Sequence, residues 1–160
     1  QSDRSKVYIS VSGDDFELYR WQEAVDLAER NLAVEFHLYG NTEPFYYAGN
    51  PMCYGIYPKK PENVIFHGRV PKETMNKEIK TMQGALRLLP FEGASEIVVK
   101  SALWGQWPVS AIEYPGTLRI EELNLLKSRK DANIKGRDWW LKNLNQYPWN
   151  INIQKRQGKE

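Results

Sequence analysis

The feature that most constrains this chain is the regular alternation of short apolar runs, rich in β-branched and aromatic residues, with segments of helical periodicity. A run at 7–12 is followed by a helical stripe at 19–30 and by a second apolar run at 34–39. Strand, helix and strand in this order form a βαβ unit, whose strands are parallel and whose crossover is right-handed. The chain therefore begins as an α/β fold.

The same alternation continues through the rest of the chain. Pro71 fits the first turn of a helix whose buried face is Met75, Ile79 and Met82, and Ser95 is placed to cap a helix with Ile97, Val98, Ser101 and Ala102 facing inward. Further strands are predicted at 64–67, 85–89 and 107–112, and further helices near 118–130 and 136–146. The pattern predicts an α/β fold with a Rossmann-like open, mainly parallel sheet, helices on both faces and additional C-terminal helices.

The length of 160 residues fits one ordinary domain. We expect a Rossmann-like domain at 1–118, C-terminal helices packed on it at 119–150 and a frayed tail at 151–160. The net charge is +2, yet residues 119–160 alone carry 10 basic and 5 acidic side chains. This excess suits a solvated helical face, and a peripheral contact with anionic lipid is the alternative. Nucleic acid is disfavoured as a partner because the tail contains no recognised binding motif.

Several classes of protein are excluded by what the sequence lacks. With Cys53 as its one cysteine and only His37 and His67 as histidines, the chain has no internal disulfide and no zinc cluster. Neither G-x-G-x-x-G nor G-x-x-x-x-G-K-[ST] follows a strand, which argues against dehydrogenases and P-loop ATPases. No Asp-x-Asp pair is present to hold a divalent ion, so we expect neither metal nor cofactor. The absence of a membrane span or a signal-like start predicts a cytoplasmic location.

The candidate site follows from the fold, because ligands of open α/β sheets bind outside the carboxyl ends of the strands. Glu92 follows the predicted fourth strand, and its carboxylate can accept hydrogen bonds from sugar hydroxyls. The helix start at 93–95 presents free backbone N–H groups that suit a phosphate. An ordinary helix start beside a surface carboxylate is the alternative.

Four motifs follow one another in the second half of this α/β pattern: an F-x-G-x-V strand end at 66–70, a Pro at position 90, an E-G motif at 92–93 and a G-x-x-P-V helix end at 105–109. Through these motifs residues 64–108 resemble the nucleotide-sugar-binding, C-terminal half of retaining GT-B-type glycosyltransferases, the family that includes glycogen synthases and mannosyltransferases, although the last motif has one extra residue. The resemblance extends over about residues 7–115.

The resemblance implies a set of donor-binding residues. Val70 and its neighbours would line the base pocket, Glu92 would contact the donor sugar as the catalytic residue, and the following helix start would approach the diphosphate. The full implied set is Gly13, Arg20, Gly68, Arg69, Val70, Glu92, Gly93, Ala94, Ser95 and Lys100.

Three positions depart from the family pattern. Lys100 stands where the family has a second Glu that holds the ribose hydroxyls, and an ammonium cannot accept hydrogen bonds. Asp14 stands where the family has a phosphate-binding Arg, whereas Arg20 replaces a Lys and can keep its phosphate role. If the Lys100 contact was lost by decay, Lys100→Glu should tighten nucleotide binding; if Lys100 neutralises the diphosphate, the same change should weaken it. Decay is the favoured interpretation.

The resemblance therefore predicts the donor-binding domain of a retaining glycosyltransferase that uses a uridine or guanosine diphosphate sugar. The acceptor would bind to a domain or subunit that these 160 residues do not contain, so we expect no sugar transfer by this chain alone. A non-catalytic nucleotide-sugar-binding or protein-interaction module derived from the same fold is the alternative.

Overall fold

The computed structural model describes residues 4–10, 21–40, 61–89 and 95–144, and the structural statements below refer to these ranges. The strands are β1 (Ser5–Ser10), β2 (Val34–Tyr39), β3 (Val64–Gly68), β4 (Gly84–Arg87) and β5 (Val109–Ser110). The helices are α1 (Trp21–Arg30), α2 (Lys72–Ile79), α3 (Glu96–Leu103), a 3-10 helix (Ile120–Ser128) and α4 (Ile134–Asn143).

The five strands form one sheet in the order β3-β2-β1-β4-β5, and every pair in it is parallel. This confirms the predicted Rossmann-like α/β class. Because β1 pairs with β2 on one side and with β4 on the other, the chain changes its direction of winding at β1. A crevice at the carboxyl ends of β1 and β4 is the expected ligand position in such a sheet.

Side chains of β1 alternate between two cores, as the period of two along a strand requires. Val7 and Ile9 pack with Ala24 and Val25 of α1 on one face of the sheet. Tyr8 packs on the opposite face with the fully buried Ile79 of α2. Both faces are therefore covered, as the sequence predicted.

Several predicted boundaries are wrong. β1 begins earlier than predicted, at Ser5, and β4 covers 84–87 rather than 85–89. β5 is only two residues long, because Pro108 has no N–H to donate and its carbonyl accepts from the N–H of Leu118 at 2.8 Å. In α3, Val99 is buried, whereas Ile97 is only half-buried.

The segment predicted as a helix at 118–130 is a 3-10 helix. Its two buried residues, Leu123 and Leu126, are three positions apart and lie in the α1-side core, which suits three residues per turn. The last helix begins at Ile134 rather than at 136 and ends at Asn143, with Leu144 as its C-cap, whereas 145–146 of the predicted span lie outside the described residues. None of the helices in the described ranges combines the length and apolar character needed to cross a bilayer.

The last helix is anchored to the sheet domain by the buried Asn133. Its side-chain amide donates to the carbonyl groups of Gln106, at 2.9 Å, and Gly116, at 2.8 Å. Its side-chain oxygen accepts from the N–H of Gly136 and so caps α4. Trp140 of α4 packs against Val99 and Ala102 of α3. The domain division at residue 118 stays a prediction, and the predicted tail at 151–160 lies outside the described residues.

Candidate functional site

A cavity of about 430 Å³ lies at the carboxyl edge of the sheet. Ser10 ends β1, Arg87 ends β4, and Val70 follows β3 by two residues; all three line this cavity. The remaining walls come from the first turns of two helices, with Lys72 and Met75 from α2 and Ser95, Glu96, Ile97 and Lys100 from the start and second turn of α3. The cavity therefore occupies the position that the strand order predicts for a ligand.

The charged lining of this cavity is mainly positive. Among the described residues that line it, Lys72, Arg87 and Lys100 are cations and Glu96 is a carboxylate, which gives three positive charges and one negative charge. The Lys72 ammonium lies 3.5 Å from Glu96, but both side chains are well exposed and such surface pairs contribute little to stability. The balance of charge favours an anionic ligand.

Lys100 is held towards α2. Its ammonium donates a hydrogen bond to the side-chain oxygen of Asn76 at 3.1 Å, joining α3 to α2 on one side of the cavity. Arg87, Lys100 and Glu96 each make further interactions besides these. The three cations therefore reach the cavity from three different elements of the fold, which allows them to surround an anion.

Ser95 is the N-cap of α3, as the sequence predicted. Its hydroxyl oxygen accepts a hydrogen bond from the N–H of Ile97 at 3.2 Å, which satisfies one of the free donors at the helix start. The positive end of the helix dipole lies at the same wall of the cavity, where the negative charge of Glu96 in the first turn interacts with it favourably.

Of the ten predicted site residues, the structure brings Val70, Ser95 and Lys100 together at the cavity. Gly68 and Arg69 lie beside it without lining it: Gly68 ends β3 with a φ of 70°, and Arg69 is exposed. Gly13, Arg20, Glu92, Gly93 and Ala94, together with Asp14, lie outside the described residues, so their proposed roles stay predictions.

Sequence reasoning missed Lys72, Arg87 and Ser10 as cavity residues. Arg87 is the one charged residue inside the apolar run 85–89, and this sequence position was a usable signal; in the structure it is half-buried and lines the cavity. Lys72 and Ser10 carry no such signal, because their approach to the cavity depends on how α2 and β1 pack. Among the described residues, no group of three His, Cys, Asp or Glu side chains is placed to hold a metal ion.

The all-parallel sheet and its covered faces define a Rossmann-like α/β protein. No protein-family model matches the chain, and no curated protein matches it in sequence. Among solved structures it is similar to AviGT4, a glycosyltransferase involved in avilamycin A biosynthesis, with a TM-score of 0.56 and 15% sequence identity. The match covers 97% of this chain and 50% of AviGT4, so this chain spans half the length of that protein. The fold is therefore glycosyltransferase-like.

Proposed function

We propose that this chain is the donor-binding domain of a retaining glycosyltransferase, and that its donor is a uridine or guanosine diphosphate sugar. The observation that carries the proposal is the positively charged cavity at the carboxyl edge of the sheet, beside the capped start of α3. The fold of AviGT4 supports it, because that protein is a glycosyltransferase.

The chemistry of the cavity suits a diphosphate. The Arg87 guanidinium offers several N–H donors in a fixed plane, whereas the Lys72 ammonium acts as a flexible point charge. The N–H groups at the start of α3 add neutral donors next to these cations. A diphosphate would therefore meet both charge and directional hydrogen bonds within one cavity.

The contacts proposed for the donor sugar and the place proposed for the acceptor rest on the sequence. Glu92 would accept hydrogen bonds from the donor sugar and act as the catalytic residue, Gly13 and Arg20 would approach the phosphates, and Val70 would contact the base. The acceptor would be bound by another domain or subunit. The coverage of half of AviGT4 supports this last point.

Direct binding tests the proposal. We expect isothermal calorimetry with a panel of uridine and guanosine diphosphate sugars to show binding in the range of roughly 10 μM to 1 mM, since an open half-cleft buries only part of the ligand. Lys72→Met should weaken the best ligand by roughly threefold to tenfold, because one charge-assisted contact is lost.

Lys135→Met is the matched control for this experiment, since Lys135 is an exposed lysine on α4 that does not line the cavity. Its affinity should equal that of the wild type. If no nucleotide sugar binds at millimolar concentration to protein that circular dichroism shows to be folded, the donor-site proposal is wrong.

The second candidate function is a non-catalytic nucleotide-sugar-binding module, which Lys100 favours. Its ammonium lines the cavity and is already hydrogen-bonded to Asn76. Lys72 and Arg87 supply cations to the same cavity, so neutralising a diphosphate does not depend on Lys100. This arrangement fits the loss of an ancestral carboxylate better than the recruitment of a phosphate-binding lysine.

We therefore expect Lys100→Glu to tighten nucleotide binding by roughly 1–3 kcal/mol, through restored hydrogen bonds to the ribose hydroxyls. Calorimetry of the wild type and the variant at two salt concentrations checks this. A weaker, less salt-dependent affinity in the variant would instead assign Lys100 to the diphosphate. An unchanged affinity at both concentrations would place Lys100 outside the nucleotide site.

A further inference from the structure

The only two histidines of the chain face each other across β2 and β3. Nδ1 of His37 lies 2.7 Å from Nε2 of His67, and the two rings are stacked with their centroids 5.0 Å apart. On its other side, Nε2 of His37 lies 2.7 Å from a carboxylate oxygen of Glu35. His37 is only 7% exposed, whereas the side chain of His67 is 22% exposed, so the contact between the imidazoles is partly buried.

The groups around the pair come from β2 itself and from two further elements, α2 and β1. Tyr39 of β2 stacks on the His67 ring with the ring centroids 4.3 Å apart, and its hydroxyl group donates a hydrogen bond of 2.6 Å to Glu78 of α2. The same Glu78 oxygen lies 3.8 Å from Nδ1 of His67, beyond hydrogen-bond distance. Lys6 of β1 is in register with Glu35 and lowers the pKa of His37 by its charge.

These distances fix one arrangement of protons at neutral pH. The Glu35 carboxylate only accepts, so Nε2 of His37 carries a proton and Nδ1 of a neutral His37 is an acceptor. Nε2 of His67 must then donate to it, which leaves Nδ1 of His67 without a proton and facing Glu78. Both imidazoles are therefore neutral Nε2–H tautomers, joined by a single N–H···N hydrogen bond.

We propose that the His37–His67 pair is a pH-sensitive latch that joins β3 to β2 and α2 and that holds at most one additional proton. That proton binds Nδ1 of His67, where it turns the 3.8 Å approach to Glu78 into an ion pair and leaves the bond to His37 intact. A second proton can bind only Nδ1 of His37. It would set two N–H donors and two positive charges against each other, so the rings must separate and the latch opens.

The electrostatics of the pair oppose a second proton, because a charged His37 lowers the pKa of His67. Burial lowers the pKa of both histidines; the hydrogen bond to Glu35 partly offsets this effect for His37, and the charge of Glu78 partly offsets it for His67. A histidine with a folded-state pKa below its unfolded value of about 6.5 stabilises the fold fully above that pH. The stabilisation is lost as the pH falls through 6.5 towards the folded-state pKa.

The latch is connected to the cavity along the chain, because β3 carries His67 and is followed within two residues by Val70, which lines the cavity. Opening the latch releases this strand from its neighbours. The proposal does not rest on the identity of the ligand, since its test observes the two imidazoles themselves.

The experiment is ¹⁵N nuclear magnetic resonance of the histidine rings in the intact chain from pH 8 to pH 5. We expect two Nε2–H tautomers at pH 8, and on acidification protonation of His67 before His37. Urea unfolding over the same range should show the folding equilibrium constant falling, on the order of tenfold for each pKa unit of depression. Two imidazoles that titrate independently, a first proton on His37, or a pH-independent urea midpoint would overturn the latch.

Glu78→Gln is the matched variant, because a glutamine oxygen can still accept from Tyr39 but carries no charge. We expect the His67 titration to move to lower pH by about one unit, or tenfold in proton affinity, with the His37 tautomer unchanged. Glu73→Gln, an exposed change on the same helix, should leave both titrations in place. Equal behaviour of the two variants would contradict the role of Glu78, and the titration order in the wild type tests the latch whether or not the variants fold.

Discussion

Replacing Gly84 by alanine is expected to remove a large part of the free energy of unfolding of this protein. A Cβ at this position would come well under 3.0 Å from the backbone carbonyl group of Trp107. Gly84 is paired with Val7 in the centre of the sheet, and the N–H of Trp107 donates to the carbonyl of Gln83 at 2.8 Å. Neither backbone can move without breaking sheet hydrogen bonds, so we expect a loss of more than about 4 kcal/mol out of a total stability of about 5–15 kcal/mol.

Gly68→Ala is the control for this prediction. Gly68 has a φ of 70°, but a Cβ there would meet nothing within 4 Å, so only backbone strain of about 1–2 kcal/mol is expected. Urea unfolding followed by circular dichroism compares the two variants. A folded Gly84→Ala protein whose free energy of unfolding lies within about 1 kcal/mol of that of Gly68→Ala would refute the predicted collision.

Replacing Asn63 by aspartate is expected to cost about 3–5 kcal/mol at pH 7, the range for an uncompensated buried charge. The fully buried Asn63 amide donates to the carbonyl groups of Ala28, at 2.9 Å, Asn31, at 3.1 Å, and Val34, at 2.9 Å. A carboxylate in its place would face three carbonyl oxygens and repel them. Its protonated form keeps one donor, so the pKa of the new carboxyl group should rise in the folded state.

The sign of the pH effect follows from this raised pKa. The variant should be most stable below the unfolded carboxyl pKa of about 4 and lose stability as the pH rises through its folded-state pKa. Asn63→Ala serves as the control, because it loses the same hydrogen bonds without adding a titratable group. The difference in urea unfolding free energy between the two variants should grow from pH 4 to pH 8; a constant difference would show that the carboxylate reaches water.

The fold was largely predictable because its signals are local. β2 was predicted with its observed bounds, since 34–39 is a compact apolar run closed by Gly40, and the Ser95 cap follows from one side chain at a helix start. Errors arose where long-range contacts decide. β5 is cut short by pairing with Leu118, and the 3-10 geometry depends on Leu123 and Leu126 reaching the α1-side core.

The candidate site was predictable only in part. Val70, Ser95 and Lys100, which the motif resemblance implies as donor-binding residues, line the cavity, whereas their roles towards a ligand stay predictions. The contribution of Lys72 depends on the packing of α2 against the sheet, which no short motif encodes. The histidine pair also carries no signal in the sequence. Its two members are 30 positions apart and meet only when β2 and β3 pair.

The position of β1 in the middle of the sheet has a consequence for synthesis of the chain. Val7 pairs with Gly84, and Tyr8 with Ala85, so one side of β1 has no strand partner until the ribosome has produced β4. A nascent chain can form β1, α1 and β2 early, but it then carries an open edge beside apolar side chains such as Ile9. Closing so distant a contact is slow, so chaperone binding during translation should concentrate before residue 84 emerges.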